Sequence, residues 1–285
     1  MNSDTRVIVC CYEGDGHQVA EALEFYLHHG CPITVLSPVD AKVAIDHPNV
    51  TNLYGGKAAY IGQDSLDRQA VHLAMCLDFP EKFFLLHDAD SILLTPEIPK
   101  HLYEKPDVVW SNQVFDDIPE HQSTFEEGWP HVAFQPPYFL SRETIGKMLA
   151  VMDDPRVKAS PVMPFIDYYM VQLTMVAGLE WSKLPDSISC PISCDLRKLH
   201  ITARDKETYG LGMQIAREAV NRGVVFLHSV KNHVAIRQLM ALREAYATGN
   251  PYHEPRITSQ HVGGTPQQRR ARGRTGGPPQ TGLRA

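Results

Sequence analysis

The chain has 285 residues, 43% of them hydrophobic and 21% charged, with a formal net charge of −6. That length suits one large α/β domain, and the composition is that of a folded globular protein rather than a disordered or fibrous one. It has no apolar run of the roughly 18 residues a membrane-spanning helix needs, and its first residues lack the order of a secretory signal, so a cytoplasmic location is expected.

Residues 6–11 (RVIVCC) read as a buried strand running into a glycine-containing loop, YEGDG. A helix over residues 17–29 follows, with Val19, Leu23, Tyr26 and Leu27 on one face and Gly30 as its C-cap. Strands are predicted at residues 32–36 and 50–53, the latter followed by Gly55-Gly56, and a helix at residues 65–77. Residues 83–86 (FFLL) form a continuous apolar strand, as parallel strands covered on both faces require. This alternation is a doubly wound α/β pattern, in which ligands bind beyond the carboxyl ends of the strands. YEGDG and the segment HDAD, residues 87–90, both fall at such ends and should share one crevice.

The second half is mixed. A strand is predicted at residues 107–111, and an extended stretch broken by a double proline at residues 132–140. Ser141 is an N-cap for a helix running to about residue 152. A helix over residues 165–176 is closed by Gly178, a late strand over residues 223–227 ends at His228, and a last helix covers residues 232–248. Residues 250–285 hold six arginines against one acid and are rich in Gly, Pro and Gln, so a disordered basic tail follows an acidic body. That tail is either a solvated terminus or a handle for a polyanion. The six cysteines sit mostly in apolar contexts, where a thiol packs as a small hydrophobe, and neither a zinc set nor a disulfide is expected.

Asp88 and Asp90 can converge on a divalent cation; oxygen ligands favour Mg²⁺ or Mn²⁺ with a phosphate-bearing ligand. The plain alternative is a solvated acidic turn. A haloacid-dehalogenase-type phosphatase also carries a strand and D-x-D, but on its first strand, whereas here a full β-α-β-α layer comes first. His87, by strand alternation, points away from the face of Asp88 and reads as structural.

The run SLDRQAVHLAMCLDFPEKFFLLHDADSILLTPEIPK resembles the donor-binding half of GT-A glycosyltransferases, in which a helix carrying an Arg precedes the strand that ends in D-x-D. PPYFLSRETIGKML resembles their LSR stretch, PFIDYYMVQLTMVAGL their acidic helix, and VVFLHSVKNH their late strand and His. The resemblance spans about residues 6–235. It departs from the family at Ile166, where a Glu is usual, and at Gln135-Pro136-Pro137, where small glycines are usual.

The resemblance implies a single α/β domain, a Rossmann-like mixed sheet flanked by helices. Residues 1–105 would be the donor-binding half and 106–249 the acceptor-binding and catalytic half, with 250–285 the tail. It implies Asp88, Asp90 and His228 as ligands of Mn²⁺ or Mg²⁺. Tyr12, Arg68, Asp88 and Lys231 would contact a nucleotide-sugar donor, most simply a UDP-sugar, and Asp167 would be the general base or would position the acceptor. In the long polar loop before the double proline, Asp116, Asp117 and Trp129 are acceptor-side candidates. The unanchored chain with an Arg-rich tail further resembles phage-type enzymes that glycosylate hydroxymethylated bases in DNA. A saccharide or protein acceptor stays open, as do a nucleotidyltransferase and a non-catalytic nucleotide-sugar binder.

Overall fold

The computed structural model describes residues 4–11, 19–20, 23, 26–27, 30–58, 63–89, 91–93, 98–114, 134–158, 166–184 and 226–227. All lie in one compact unit, Met1–Glu254. The expected strand at residues 223–225, the helix at 232–248 and the basic tail fall outside the described residues.

Three parallel strands open the sheet: β1 (Thr5–Cys10), β2 (Ile33–Ser37) and β3 (Val50–Tyr54). Helix α1 (Gln63–Cys76) returns the chain to β4 (Phe83–Asp88), which pairs in parallel with β1 from Thr5 opposite Phe83 to Cys10 opposite Asp88. A two-residue strand β5 (Ile92–Leu93), a short helix α2 (Lys100–Tyr103) and β6 (Val108–Val114) come next. Then follow β7 (Phe134–Ser141), α3 (Arg142–Ala150), α4 (Pro155–Lys158), α5 (Ile166–Val176), β8 (Glu180–Lys183) and β9 (Phe226–Leu227).

The main sheet has the order β3-β2-β1-β4-β7-β6-β8, with β7 antiparallel to both neighbours, so it is a mixed Rossmann-like sheet. Each face has its own apolar core. Val7, Val9, Leu85 and Trp110 meet Leu23, Tyr26 and Leu102 on one side. Ile8, Phe84, Leu86 and Leu140 meet Leu66 and Leu73 of α1, Ile145 of α3 and Met170 and Leu173 of α5 on the other. Each such side chain contributes roughly 2 kcal/mol through burial.

The caps follow the predicted chemistry. Gly30 has φ 64°, and Cys31 N–H donates to the Tyr26 carbonyl while Gly30 N–H donates to Leu27. Gly178, at φ 65°, ends α5 with the same pair of bonds, to Thr174 and Met175. Ser141 Oγ accepts from Thr144 N–H (3.0 Å) at the start of α3.

Two expectations need correction. The strand predicted at residues 83–86 runs to Asp88, because β1 supplies backbone partners as far as Cys10. The double proline does not break β7, whose Pro136-Pro137 peptide is cis. Its pairing with β4 stops at Tyr138, so the prolines owe no N–H to that neighbour. On the other side, β6 shifts register between Ser111 and Gln113 opposite them.

One ion pair crosses the bottom of the sheet. Arg6 forms two bonds to Glu81 (2.8 and 3.0 Å), a third to Thr34 Oγ1 (3.1 Å), and lies 3.9 Å from the centre of the Phe79 ring. Burial alone would raise the Glu81 carboxyl; the Arg6 hydrogen bonds outweigh it and hold the group below the usual carboxylate range. Arg6→Ala should cost about 2–3 kcal/mol in urea unfolding, since it strands a half-buried carboxylate. Lys82→Ala, which breaks an exposed pair with Asp4, should cost under about 0.5 kcal/mol. Equal losses would show that the buried pair has no special weight.

Candidate functional site

Parallel strands β1, β2, β3, β4, β6 and β8 all end at one edge of the sheet, at Cys10, Ser37, Tyr54, Asp88, Val114 and Lys183. Antiparallel β7 begins there, at Phe134. Helices α1 and α5 each lead back into a parallel strand, so their N-terminal turns lie toward this edge and their C-terminal turns toward the other.

Asp88 is the last residue of β4 and is partly exposed. Beyond it Ala89 N–H still donates to the Cys10 carbonyl (3.1 Å). Ser91 N–H then donates to the Asp88 carbonyl (3.1 Å), closing the chain between them into a tight turn. Two positional expectations are met here. Asp88 stands at the carboxyl end of its strand, and His87 lies on the opposite face, 1% exposed and bonded to Tyr26.

Arg68 is buried at 2% exposure, not a solvent-facing helix residue. The glycines after β3 explain how it gets there. A Cβ on Gly56 would stand 2.6 Å from Cβ and Cγ of Arg68 and 2.7 Å from its Cα. A Cβ on Gly55 would stand 2.6 Å from Val71 Cγ1. With no side chains, the loop lets α1 press directly onto the edge of the sheet. Gly56 also has φ 68°, a left-handed conformation.

The Arg68 charge reaches both Cys10 and His72, and the Asp88 charge reaches Cys10. These four side chains therefore gather between α1 and the ends of β1 and β4. Cys10 Sγ is 3.8 Å from His72 Nδ1, a spacing that suggests a nucleophilic Cys–His pair. The electrostatics argue against one. Burial, and then Asp88, push the Cys10 thiol up to about 12 despite Arg68. Burial, and then Arg68, hold the His72 imidazole down to about 4, with only the Gly55 backbone opposing. A neutral thiol beside a neutral imidazole is a packing contact, not an activated nucleophile.

Asp167 belongs to the first turn of α5, at the binding-edge end of that helix. The two-residue strands β5 and β9 pair antiparallel, Ile92 opposite Leu227 and Leu93 opposite Phe226. Tyr12, Asp90, Asp116, Asp117, Trp129, His228 and Lys231 lie outside the described residues. Among the described residues no group of three or more His, Cys, Asp or Glu side chains is placed to hold a metal ion; of the expected ligands, they include only Asp88. The sequence reading of the cysteines as packing residues agrees with Cys10; His72 and the Tyr26–His87 contact were not anticipated. The apolar flanks of Cys10 and the i, i+4 spacing of Arg68 and His72 were the available signals.

No family model and no curated protein matches the chain. Among solved structures it is similar to a glycosyltransferase involved in the glycosylation of the major capsid of PBCV-1, at 10% identity and a TM-score of 0.42, over 83% of this chain and 98% of that one.

Two outcomes follow from this packing. Gly56→Ala should destabilise the protein by about 2–4 kcal/mol, since strain and overpacking act together. Gly30→Ala, with the same φ sign but nothing within 4 Å of the new Cβ, should cost only about 1 kcal/mol. Similar thermal shifts for the two would deny the close approach of α1. For His72, the folded value lies below the ordinary 6.5, so the unfolded chain takes up the proton first. Its contribution is complete above pH 6.5 and drains away as pH falls toward 4. Wild type should lose on the order of 3 kcal/mol over that window that His72→Gln does not lose. Parallel stability curves for the two proteins would contradict this.

Proposed function

We propose that the chain is a GT-A-type glycosyltransferase that moves a sugar from a nucleotide diphosphate donor, most simply a UDP-sugar, to an acceptor hydroxyl. The observation that carries the reading is the β5–β9 ladder. It ties residues 226–227 to the segment just after Asp88, although some 130 residues separate them in sequence. His228 is the next residue after Leu227, and Asp90 stands two before Ile92. This pairing supports the reading in which late-chain residues complete a donor site beside Asp88. The sheet order, with one antiparallel strand between β4 and β6, agrees with the GT-A expectation.

The donor set fits Mn²⁺ or Mg²⁺ by its chemistry: two carboxylates and an imidazole at an edge where Asp88 keeps part of its surface open. Asp88, Asp90 and His228 would hold the ion, which when bound supplies charge neutralisation for a departing diphosphate. Arg68, fixed by the glycine loop, sets positive charge at the same edge, and Lys231 adds to it. Tyr12 would flank the nucleotide base. Asp167, at the N-terminal turn of α5, would take the acceptor proton or orient the acceptor. Asp116, Asp117 and Trp129 would meet the acceptor. We propose a hydroxymethylated DNA base as that acceptor; the Arg-rich segment after residue 250 supports it through phosphate attraction.

Calorimetric titration of UDP and GDP, with and without Mn²⁺, tests the donor reading. One nucleotide should bind only with the metal, and Asp90→Ala should abolish that binding while leaving the melting temperature in place. If neither nucleotide binds under either condition, the uracil- and guanine-linked donor readings fall. Transfer assays on hydroxymethylated DNA, oligosaccharide and protein then separate the acceptors.

A further inference from the structure

The carbonyl of Asp88 receives two hydrogen bonds. One is the turn-closing bond from Ser91 N–H (3.1 Å). The other comes from the neighbouring side chain, with His87 Nδ1 at 2.9 Å. A carbonyl oxygen can only accept, so Nδ1 carries the hydrogen. In the singly protonated ring, Nε2 is then an acceptor, and Tyr26 Oη lies 2.9 Å from it. The tyrosine hydroxyl therefore donates to Nε2 and selects the tautomer that clamps the carbonyl. His87 and Tyr26 are 1% and 0% exposed, and their rings sit 5.6 Å apart at 30°, so packing fixes both. Ser91, at the far end of the turn, is 1% exposed as well.

We infer that Tyr26 and His87 are positioning residues for the carboxylate turn. The chain Tyr26 O–H to His87 Nε2, then His87 Nδ1–H to the Asp88 carbonyl, holds the backbone of the Asp88–Ser91 turn against the helical residues around Leu23 and Tyr26. Neither side chain touches substrate. They act through the main chain, from the face of the sheet opposite α1, and make no use of the Asp88 carboxylate in doing so. The inference rests on the donor-site reading for its effect on metal and nucleotide, but not for its geometry.

The two amide isosteres of histidine separate the bonds. The Asn amide nitrogen takes the place of Nδ1, so His87→Asn keeps the clamp on the carbonyl. The Gln amide takes the place of Nε2, so His87→Gln keeps the Tyr26 contact and loses the clamp. In the full chain, Mn²⁺-dependent UDP binding should stay within about threefold of wild type for His87→Asn and weaken roughly tenfold or more for His87→Gln, the size seen when groups behind metal ligands are removed. Equal weakening would overturn the inference, because it would make His87 a space-filler.

A second readout needs no nucleotide. Nitrogen-15 NMR of the histidine ring should show the hydrogen on Nδ1 in wild type and a mixture of tautomers in Tyr26→Phe, which removes only a hydroxyl. A hydrogen on Nε2 in wild type would overturn the inference. If wild type binds neither UDP nor GDP, the uracil- and guanine-linked donor readings fall. The ring tautomer, with faster exchange of the Ser91 amide in His87→Gln than in His87→Asn, then decides the positioning role.

Discussion

Six aligned pairs between β1 and β4, from Thr5 opposite Phe83 to Cys10 opposite Asp88, set where this protein can place charge. Both strands are covered on both faces, so any carboxylate inside the ladder would be buried without water. Phe84, Leu85 and Leu86 occupy the covered levels at 0–1% exposure. After the partly exposed Phe83 at its start, β4 stays covered until Asp88, where one side of the residue opens again. The ladder continues by one more bond, from Ala89 N–H to Cys10, and the chain then turns. The carboxylate is thus held by strand geometry as a strand residue, not carried on a loop. That rigidity is what a ligand site needs from its scaffold.

Much of the first half was legible. Continuous apolar runs define β1, β2 and β4, and parallel pairing with both faces covered is what such runs require. The caps at Gly30, Ser141 and Gly178 were legible because each depends on local chemistry alone. What was not legible depends on partners far away in sequence. The last two residues of β4 are strand only because β1 reaches Cys10. The prolines of β7 are tolerated only because β4 stops pairing at Tyr138 and β6 shifts register beside them. Strands β5 and β9, two residues each, carry no periodicity to detect.

The site divides the same way. D-x-D and a helical Arg mark Asp88 and Arg68 by residue type and order. That Arg68 is buried follows from Gly55 and Gly56, whose role is an approach distance and leaves no pattern in the sequence. His87 was correctly assigned to the far face by strand alternation. Its link to Tyr26 was not visible, because it joins two elements separated by 61 positions. His72 and Cys10 show the reverse risk: residue type and distance suggest chemistry, and burial removes it.

The two faces of the sheet treat Asp88 differently. On one, His87, backed by Tyr26, reaches the Asp88 carbonyl. On the other, Arg68 brings a full charge to the space that the carboxylate also reaches. A main-chain clamp does not compete for the carboxylate oxygens, whereas a charge on the side-chain face can share them with a ligand. Main-chain restraint and side-chain electrostatics therefore reach Asp88 from opposite sides. The β5–β9 pairing adds a constraint in chain order: Phe226 and Leu227 reach the segment just after Asp88 in a small sheet separate from the seven-stranded one, so that segment gains its strand partners only from far along the chain.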